Sequence, residues 1–429
     1  MKNLSPSSWI LWPALVVLGT ALAGVAAQGA APAAPRANEA LLIDCAGHFL
    51  RLSTADMRIL AQGNLWDRPK LAAFSPRAGS ADECAVADVE IDRLHQLAYI
   101  ALARGQQHLI AALHLPDLGL VTLHEIESAA AGPLRLLLSP GGDELLASYS
   151  HLEGAAGTAD WLNMIERLSA PTLRSNRVSK ELRLGAAAAA GRPSSAPLSR
   201  FAGWAGAGRI LDQTRILDDS GRILEHLDPY ALMTPAMASG LGSLERLSTA
   251  GRPYLPIAFA DSAARRVLFA IGHDTGLATA PANSALWVHD VGSNLSLRPI
   301  LTRERVAAYD PTRSETPSVH LSPDGDLILL ERFEWRPAVG ADETQMARFK
   351  TGPVDVYDVN AGALLRTINL DPSPGFTSRL LAISPAGDLA LFGTANLLYV
   401  VPLDGRRPPT VLKPDVGFEP FWSLGGIYE

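Results

Sequence analysis

The chain has 429 residues, with 37 basic and 44 acidic side chains for a formal net charge of −7. This mild acidity, with no basic run, RNA-binding signature or zinc-finger spacing, argues against nucleic acid or an anionic membrane surface as the partner. Hydrophobic residues make up 48% of the chain, enough for a substantial core.

The first 27 residues read as a secretory signal peptide. Lys2 and the amino terminus supply positive charge, the run from Trp9 to Val25 is almost wholly apolar, and Val25-Ala26-Ala27 places small residues before Gln28. An uncleaved anchor is the alternative, because the apolar run nearly reaches bilayer-spanning length. Pro13, Gly19, Gly24 and the alanine-rich end favour cleavage. The expected location is periplasmic or secreted, with no membrane span after signal removal. Residues 28–39 are Ala/Pro-rich and read as a disordered spacer before a single domain over 40–429.

Two cysteines, Cys45 and Cys84, lie early in that domain. In an oxidising compartment an isolated pair usually forms a disulfide. Closing a loop of about forty residues contributes about 3–4 kcal/mol on the chain-entropy model. Two buried free thiols are the competing reading.

From residue 40 onward, short apolar or alternating segments are separated by Gly, Pro, Asp and Asn, the pattern of an all-β chain. The best helical period is at 158–168, where Trp161, Met164, Ile165 and Leu168 share one face behind Thr158 and Asp160; an irregular outer strand is the other reading. Residues 186–197 form a low-complexity surface insertion.

One phrase organises the rest. An apolar strand, a Ser-Pro-x-Gly-Asp turn and a second apolar strand occur at Ser139-Pro140-Gly141-Gly142-Asp143, at Ser322-Pro323-Asp324-Gly325-Asp326 and at Ser384-Pro385-Ala386-Gly387-Asp388. Proline presets φ, glycine accepts φ > 0 and serine bonds the turn backbone. A spacing of roughly 61 residues also picks out weaker hairpins at 257–271 and near 202, and another at 89–100 precedes Ser139. Each unit continues with two more strands, as in Val354-Asp355-Val356-Tyr357-Asp358-Val359-Asn360-Ala361-Gly362 followed by Leu364 to Ile368. Four antiparallel strands per unit is a propeller blade.

The segments 40–43, 48–52 and 57–61 look like a blade lacking its first strand, which the tail at 418–427 can supply. The expected fold is an all-β, seven-bladed β-propeller closed by pairing N- and C-terminal strands, with six or eight blades as alternatives. The Ser-Pro-Asp-Gly hairpin and the Val-Tyr-Asp-Val-x-x-Gly turn resemble the YVTN/WD40-like seven-bladed propellers of secreted bacterial proteins. The Trp-Asp and Gly-His pairs of true WD40 repeats are missing. Periplasmic amine dehydrogenase heavy subunits also look like this, though no diagnostic motif places the chain among them.

Propeller geometry puts the Ser-Pro-x-Gly turns on one face and the longer loops, at 272–284, 308–317, 334–351 and 371–378, on the other. Long loops on a rigid scaffold commonly carry binding, and His273, Asp274, Asp310, Arg313, Glu315, Trp335 and Arg336 are the candidate residues there; Asp342 lies in the same loops. A bland solvating role for the loops is the alternative. No nucleophile elbow, His-Glu-x-x-His helix, phosphate-binding loop or EF-hand is present, so no catalytic residue, metal site or cofactor is expected. His320 sits beside an inner strand and reads as a packed, hydrogen-bonded histidine, with a channel-facing position as the alternative. Asp290 and Asp358 read as repeated turn chemistry.

The function expected is a non-catalytic binding or scaffold module for a protein or cell-envelope partner. The alternatives are the large subunit of a quinoprotein-type amine dehydrogenase, or a propeller hydrolase or lactonase. They rest on fold analogy alone.

Overall fold

The computed structural model describes residues 38–75, 85–104, 107–126, 130–153, 160–183, 201–204, 209–212, 215–218, 222–226, 257–260, 266–271, 285–290, 298–301, 319–337, 346–370, 378–414, 417–420 and 423–428. The signal segment, Cys84 and the 186–197 insertion lie outside them. Among the described residues no helix is long and apolar enough to cross a membrane.

The strands run in chain order as follows. β1 (Glu39–Ile43), β2 (His48–Ser53) and β3 (Ile59–Asn64) come first. β4 (Val86–Asp92), β5 (Leu97–Arg104), β6 (Gln107–His114) and β7 (Leu120–Ile126) form the next unit. β8 (Ala130–Leu138), β9 (Glu144–Glu153), β10 (Asp160–Ser169) and β11 (Arg174–Arg183) follow. Then come β12 (Phe201–Trp204), β13 (Ile210–Asp212), β14 (Arg215–Leu217) and β15 (Ile223–His226). The fifth set is β16 (Ile257–Ala260), β17 (Arg266–Ile271), β18 (Ala285–Asp290) and β19 (Arg298–Leu301). β20 (Val319–Leu321), β21 (Leu327–Pro337), β22 (Met346–Asp358) and β23 (Ala363–Asn369) make the sixth. β24 (Arg379–Ile383), β25 (Leu389–Gly393), β26 (Leu398–Pro402), β27 (Thr410–Leu412) and β28 (Leu424–Tyr428) complete the chain.

These strands form seven four-stranded antiparallel sheets, six of them sequential and one in the order β28-β1-β2-β3. The fold is a β-propeller. Neighbouring inner strands adjoin from β24 to β28, β4, β8, β12, β16 and β20. Apolar side chains from successive sheets fill the space between them: Leu41, Ile43, Ile100 and Leu109 make one such core, and Tyr99, Leu136, Ala147 and Met164 the next. Each fully buried aliphatic side chain stabilises by about 1.5–3 kcal/mol, so the cores between sheets hold the ring.

The closing sheet joins both ends of the chain. β28 pairs antiparallel with β1, with Leu41 opposite Gly426 and Glu39 opposite Tyr428. Gly425 has φ +155°, and a Cβ there would lie 1.9 Å from the Leu41 carbonyl oxygen, so a side chain cannot be accommodated. Glu39 Oε2 accepts from Arg51 Nε at 2.8 Å and from the Tyr428 hydroxyl at 3.2 Å. Arg51 also donates to the carbonyl of Leu115, just after β6 of the next sheet, at 3.2 Å.

The Ser-Pro-x-Gly-Asp turns are hairpins between first and second strands. Gly142, Gly325 and Gly387 have φ of +70°, +75° and +66°, which a side chain would strain. Ser139 Oγ donates to Asp143 Oδ1 at 2.6 Å and accepts from the N–H groups of Asp143 and Glu144; Ser384 repeats this with Asp388 and Leu389. In the middle copy the acceptor is Asp324, within the turn.

Two expectations are corrected. Residues 160–169 are not helical: β10 pairs along its length with both β9 and β11. Met164 and Leu168 face one core and Ile165 the other, and burial on both faces removes the alternation that would mark a strand. The 334–351 loop is largely a ribbon, since β21 and β22 stay paired from Phe333 opposite Lys350 to Pro337 opposite Met346.

Candidate functional site

Of the seven residues expected to bind, His273, Asp274, Asp310, Arg313 and Glu315 lie outside the described residues, as does Asp342. Trp335 and Arg336 stand in β21, opposite Arg348 and Ala347, so they belong to the paired ribbon rather than to a loop. Asp358 Oδ1 accepts from the Ala361 N–H at 2.8 Å, which is turn chemistry; Asp290 lies 3.3 Å from Arg266 Nε. Cys45 follows β1, and its carbonyl accepts the Ala85 N–H at 3.2 Å; no described cysteine is a free thiol.

His320 is the sequence candidate that the structure places in a network. Its Nε2 lies 3.1 Å from Glu331 Oε1 on the neighbouring strand, and that carboxylate is 1% exposed. The same oxygen accepts the Leu380 N–H of the next sheet at 3.2 Å. Glu331 thus ties β21 to the inner strand β24, with Arg379 one residue before the captured N–H.

A second tie of this kind joins β4 to β8. Asp88 Oδ2 accepts the Leu136 N–H at 3.0 Å and Oδ1 accepts the Val89 N–H at 3.0 Å. Arg135 again precedes the captured N–H, and its Nη1 reaches the Ala87 carbonyl at 3.4 Å. Both arginines are half-buried and stand on inner strands ahead of a Ser-Pro turn. Between β24 and β8 the inner ring interposes β28 and β4, yet the Arg135 charge acts on Arg379. Both arginines stand on inner strands, the strands that line the axis of a propeller.

The electrostatics of this axial cluster follow from partial removal from water. Burial pushes the Arg379 guanidinium down from its ordinary range; Glu331 opposes the shift and Arg135 adds to it. Burial raises the Asp88 carboxyl, against the pull of Arg135 and of its two backbone donors. Glu90, two residues along the same face of β4, is held well above the usual carboxylate range by burial first and by Asp88 second. No hydrogen bond or ion pair engages Glu90 among the described residues.

Asp88, Glu90, Arg135, Glu331 and Arg379 were not singled out from sequence. The available signal was a charge on an inner or second strand of an otherwise apolar hairpin: Val-Ala-Asp-Val-Glu-Ile, Leu-Arg-Leu, Leu-Leu-Glu. Among the described residues no group of three or more His, Cys, Asp or Glu is placed to hold a metal ion. What the cluster offers is a set of charged groups at a junction of sheets, with one carboxyl whose charged form burial disfavours, a binding chemistry.

No family model matches the chain, and no curated protein matches it. Solved structures with a related chain path include a functionally unknown protein from Desulfotomaculum acetoxidans, at 12% identity and TM-score 0.46, covering 91% of this chain and 98% of that one. Dihydro-heme d1 dehydrogenase NirN in complex with DHE matches at 12% identity and TM-score 0.46, over 93% of this chain and 77% of that one. A chain from a study of two prolyl endopeptidases matches at 12% identity and TM-score 0.47, over 90% of this chain and 51% of that one. The present chain therefore spans about half the length of the last.

Proposed function

We propose that this is an exported, non-catalytic binding propeller of the seven-bladed YVTN/WD40-like kind, which takes a protein or cell-envelope component at its axis. The observation supporting this is the axial cluster itself. Asp88, Arg135, Glu331 and Arg379 come from four sheets, and both carboxylates accept a backbone N–H immediately after an arginine on the next inner strand. The signal segment supports a periplasmic or secreted location, and the 3.2 Å bond between Ala85 and Cys45 supports a Cys45–Cys84 disulfide. Neither nucleic acid nor a membrane span belongs to the proposal, and the long-loop residues His273 to Arg336 are proposed to extend the surface around the axis.

The test is affinity purification of the mature protein from its native compartment, in parallel with an Arg135→Gln/Arg379→Gln variant and a turnover screen. The expected result is a stoichiometric component retained by wild type, lost by the folded variant, with no turnover. An identical set of bound components for both proteins, or turnover by the wild type, would overturn the reading.

A further inference from the structure

Away from the axis, the seam between the third and fourth sheets carries a separate arrangement of charge, one that does not depend on the axial reading. We infer that Arg167, Arg174 and Arg177 form a phosphate-binding site at the outer strands of this seam. On β10, Ile165 packs with Leu146, Trp204, Ile210 and Leu217, so it faces the fourth sheet. Arg167 lies two residues on and shares that face. On β11, Arg177 stands directly opposite Arg167, and Arg174 stands opposite Ser169. Residues paired in this way point to the same side of a sheet, so all three arginines face the seam. Asn176, the extra residue of the bulge between them, donates to Ser169 Oγ at 2.7 Å.

The buried member of the set has a donor to spare. Arg167 is 8% exposed, and its Nη1 lies 2.9 Å from both oxygens of Glu144. Its Nη2 is buried and has no hydrogen-bond partner. A buried N–H without an acceptor costs the desolvation of that group, and a bound acceptor recovers it. Arg174 and Arg177 are exposed and make no hydrogen bond or ion pair among the described residues. Like charges directly opposite one another on paired strands repel, so Arg167 and Arg177 gain from an anion between them. Across the seam, Trp204, Ile210 and Leu217 supply no carboxylate, and the Trp204 indole N–H is already given to the Leu138 carbonyl at 2.8 Å. Three arginines thus share one acid, Glu144, and the excess of two positive charges matches a dianion. A phosphate group carries about −1.5 to −2 charge near pH 7 and offers three strong acceptor oxygens, where a single carboxylate would neutralise half the excess. Entry is from the outer strand, because no bond holds the Arg174 or Arg177 side chain in place.

The phosphate group can arrive free or carried on a small ester. Calorimetric titration of the mature protein with inorganic phosphate, and separately with glucose 6-phosphate, distinguishes these sources, with glucose, succinate and sodium chloride at equal ionic strength as controls. At least one phosphate probe should bind, and the tighter of the two identifies the source. Arg177→Gln changes an exposed residue and keeps the Arg167–Glu144 pair, and it should weaken that binding at least about tenfold, as expected for lost charge-assisted hydrogen bonds. Arg177→Lys should recover only part of the loss, because it lacks the planar fork. A second readout needs no variant: the bound probe should protect Arg174 and Arg177 of the wild type from phenylglyoxal, read by peptide mass spectrometry. Succinate binding as tightly as phosphate would overturn the phosphate assignment. Phosphate binding lost in Arg135→Gln/Arg379→Gln but kept in Arg177→Gln would overturn the seam site and leave the axial one standing. Absence of phosphate binding with both arginines unprotected would also overturn the seam site, without bearing on the axis.

Discussion

At the turn end of the ring, Ser139 and Ser384 commit their hydroxyls to an aspartate and two backbone N–H groups, and Arg266 commits its fork to the Gly325 carbonyl, Asp326 and Asn360, each at 2.7 Å. At the axis, Arg135 makes one long bond, and Glu90 makes none among the described residues. The same residue types are present in both places. Where polar groups satisfy one another the end is a clamp, and further ligands have little to bind. Where donors are left over, ligand chemistry has a place to start. The conspicuous repeat motif therefore marks scaffold, and charges on the inner strands mark the candidate site.

The largest break in this comparison is removal of the closing strand. Deleting 418–429 takes away β28, exposes the edge of β1, and removes the buried Ile427 and Tyr428 side chains. The melting temperature should fall by roughly 5–15 °C, or the chain should fail to fold cooperatively. An unchanged melting curve would mean that β28 is not what closes the ring.

A smaller break sits in the clamp. A Cβ on Gly387 would lie 2.5 Å from Asp324 Oδ2 of the preceding turn, at a φ of +66°. Gly387→Ala should cost about 1–3 kcal/mol through strain and displacement of that carboxylate, measured by denaturant unfolding. Ala386→Gly next to it, an exposed position, should cost well under half as much. Equal costs would show that adjoining turns do not interlock.

The clamp was legible in sequence because its chemistry is local. Pro, Gly, Ser and Asp within five residues dictate a turn whatever surrounds them, and the spacing of the turns then places the strands. Closure was legible for a similar reason, since three strands at one end and one at the other complete a sheet. The axial cluster was not, because Asp88 meets Leu136 and Glu331 meets Leu380 across sheet boundaries, at sequence separations that no spacing rule covers. The 160–169 strand was ambiguous for a different physical reason: a strand covered on both faces has no polar side to set its period. His320 was legible as hydrogen-bonded, but its partner Glu331 was visible only once β20 and β21 were paired.

The smallest expected effects separate two carboxylates on one strand. Asp88 carries a backbone tie, so Asp88→Ala leaves the Leu136 N–H without its acceptor and should cost about 1–3 kcal/mol. Glu90 carries no such tie, and its folded carboxyl titrates above the unfolded value because burial and Asp88 disfavour the charge. A raised acid binds its proton more tightly when folded. Its stabilising contribution is complete below the unfolded value of about 4.3 and is lost as pH rises through the folded value. Glu90→Gln keeps the shape and deletes the titration, so near pH 7–8 it should raise the melting temperature by about 1–2 °C. Below about pH 4 wild type and variant should converge, because both are then neutral. A pH-independent difference would assign Glu90 a packing role instead, and a loss of stability at pH 8 would mean that its charged form is the one the folded axis favours.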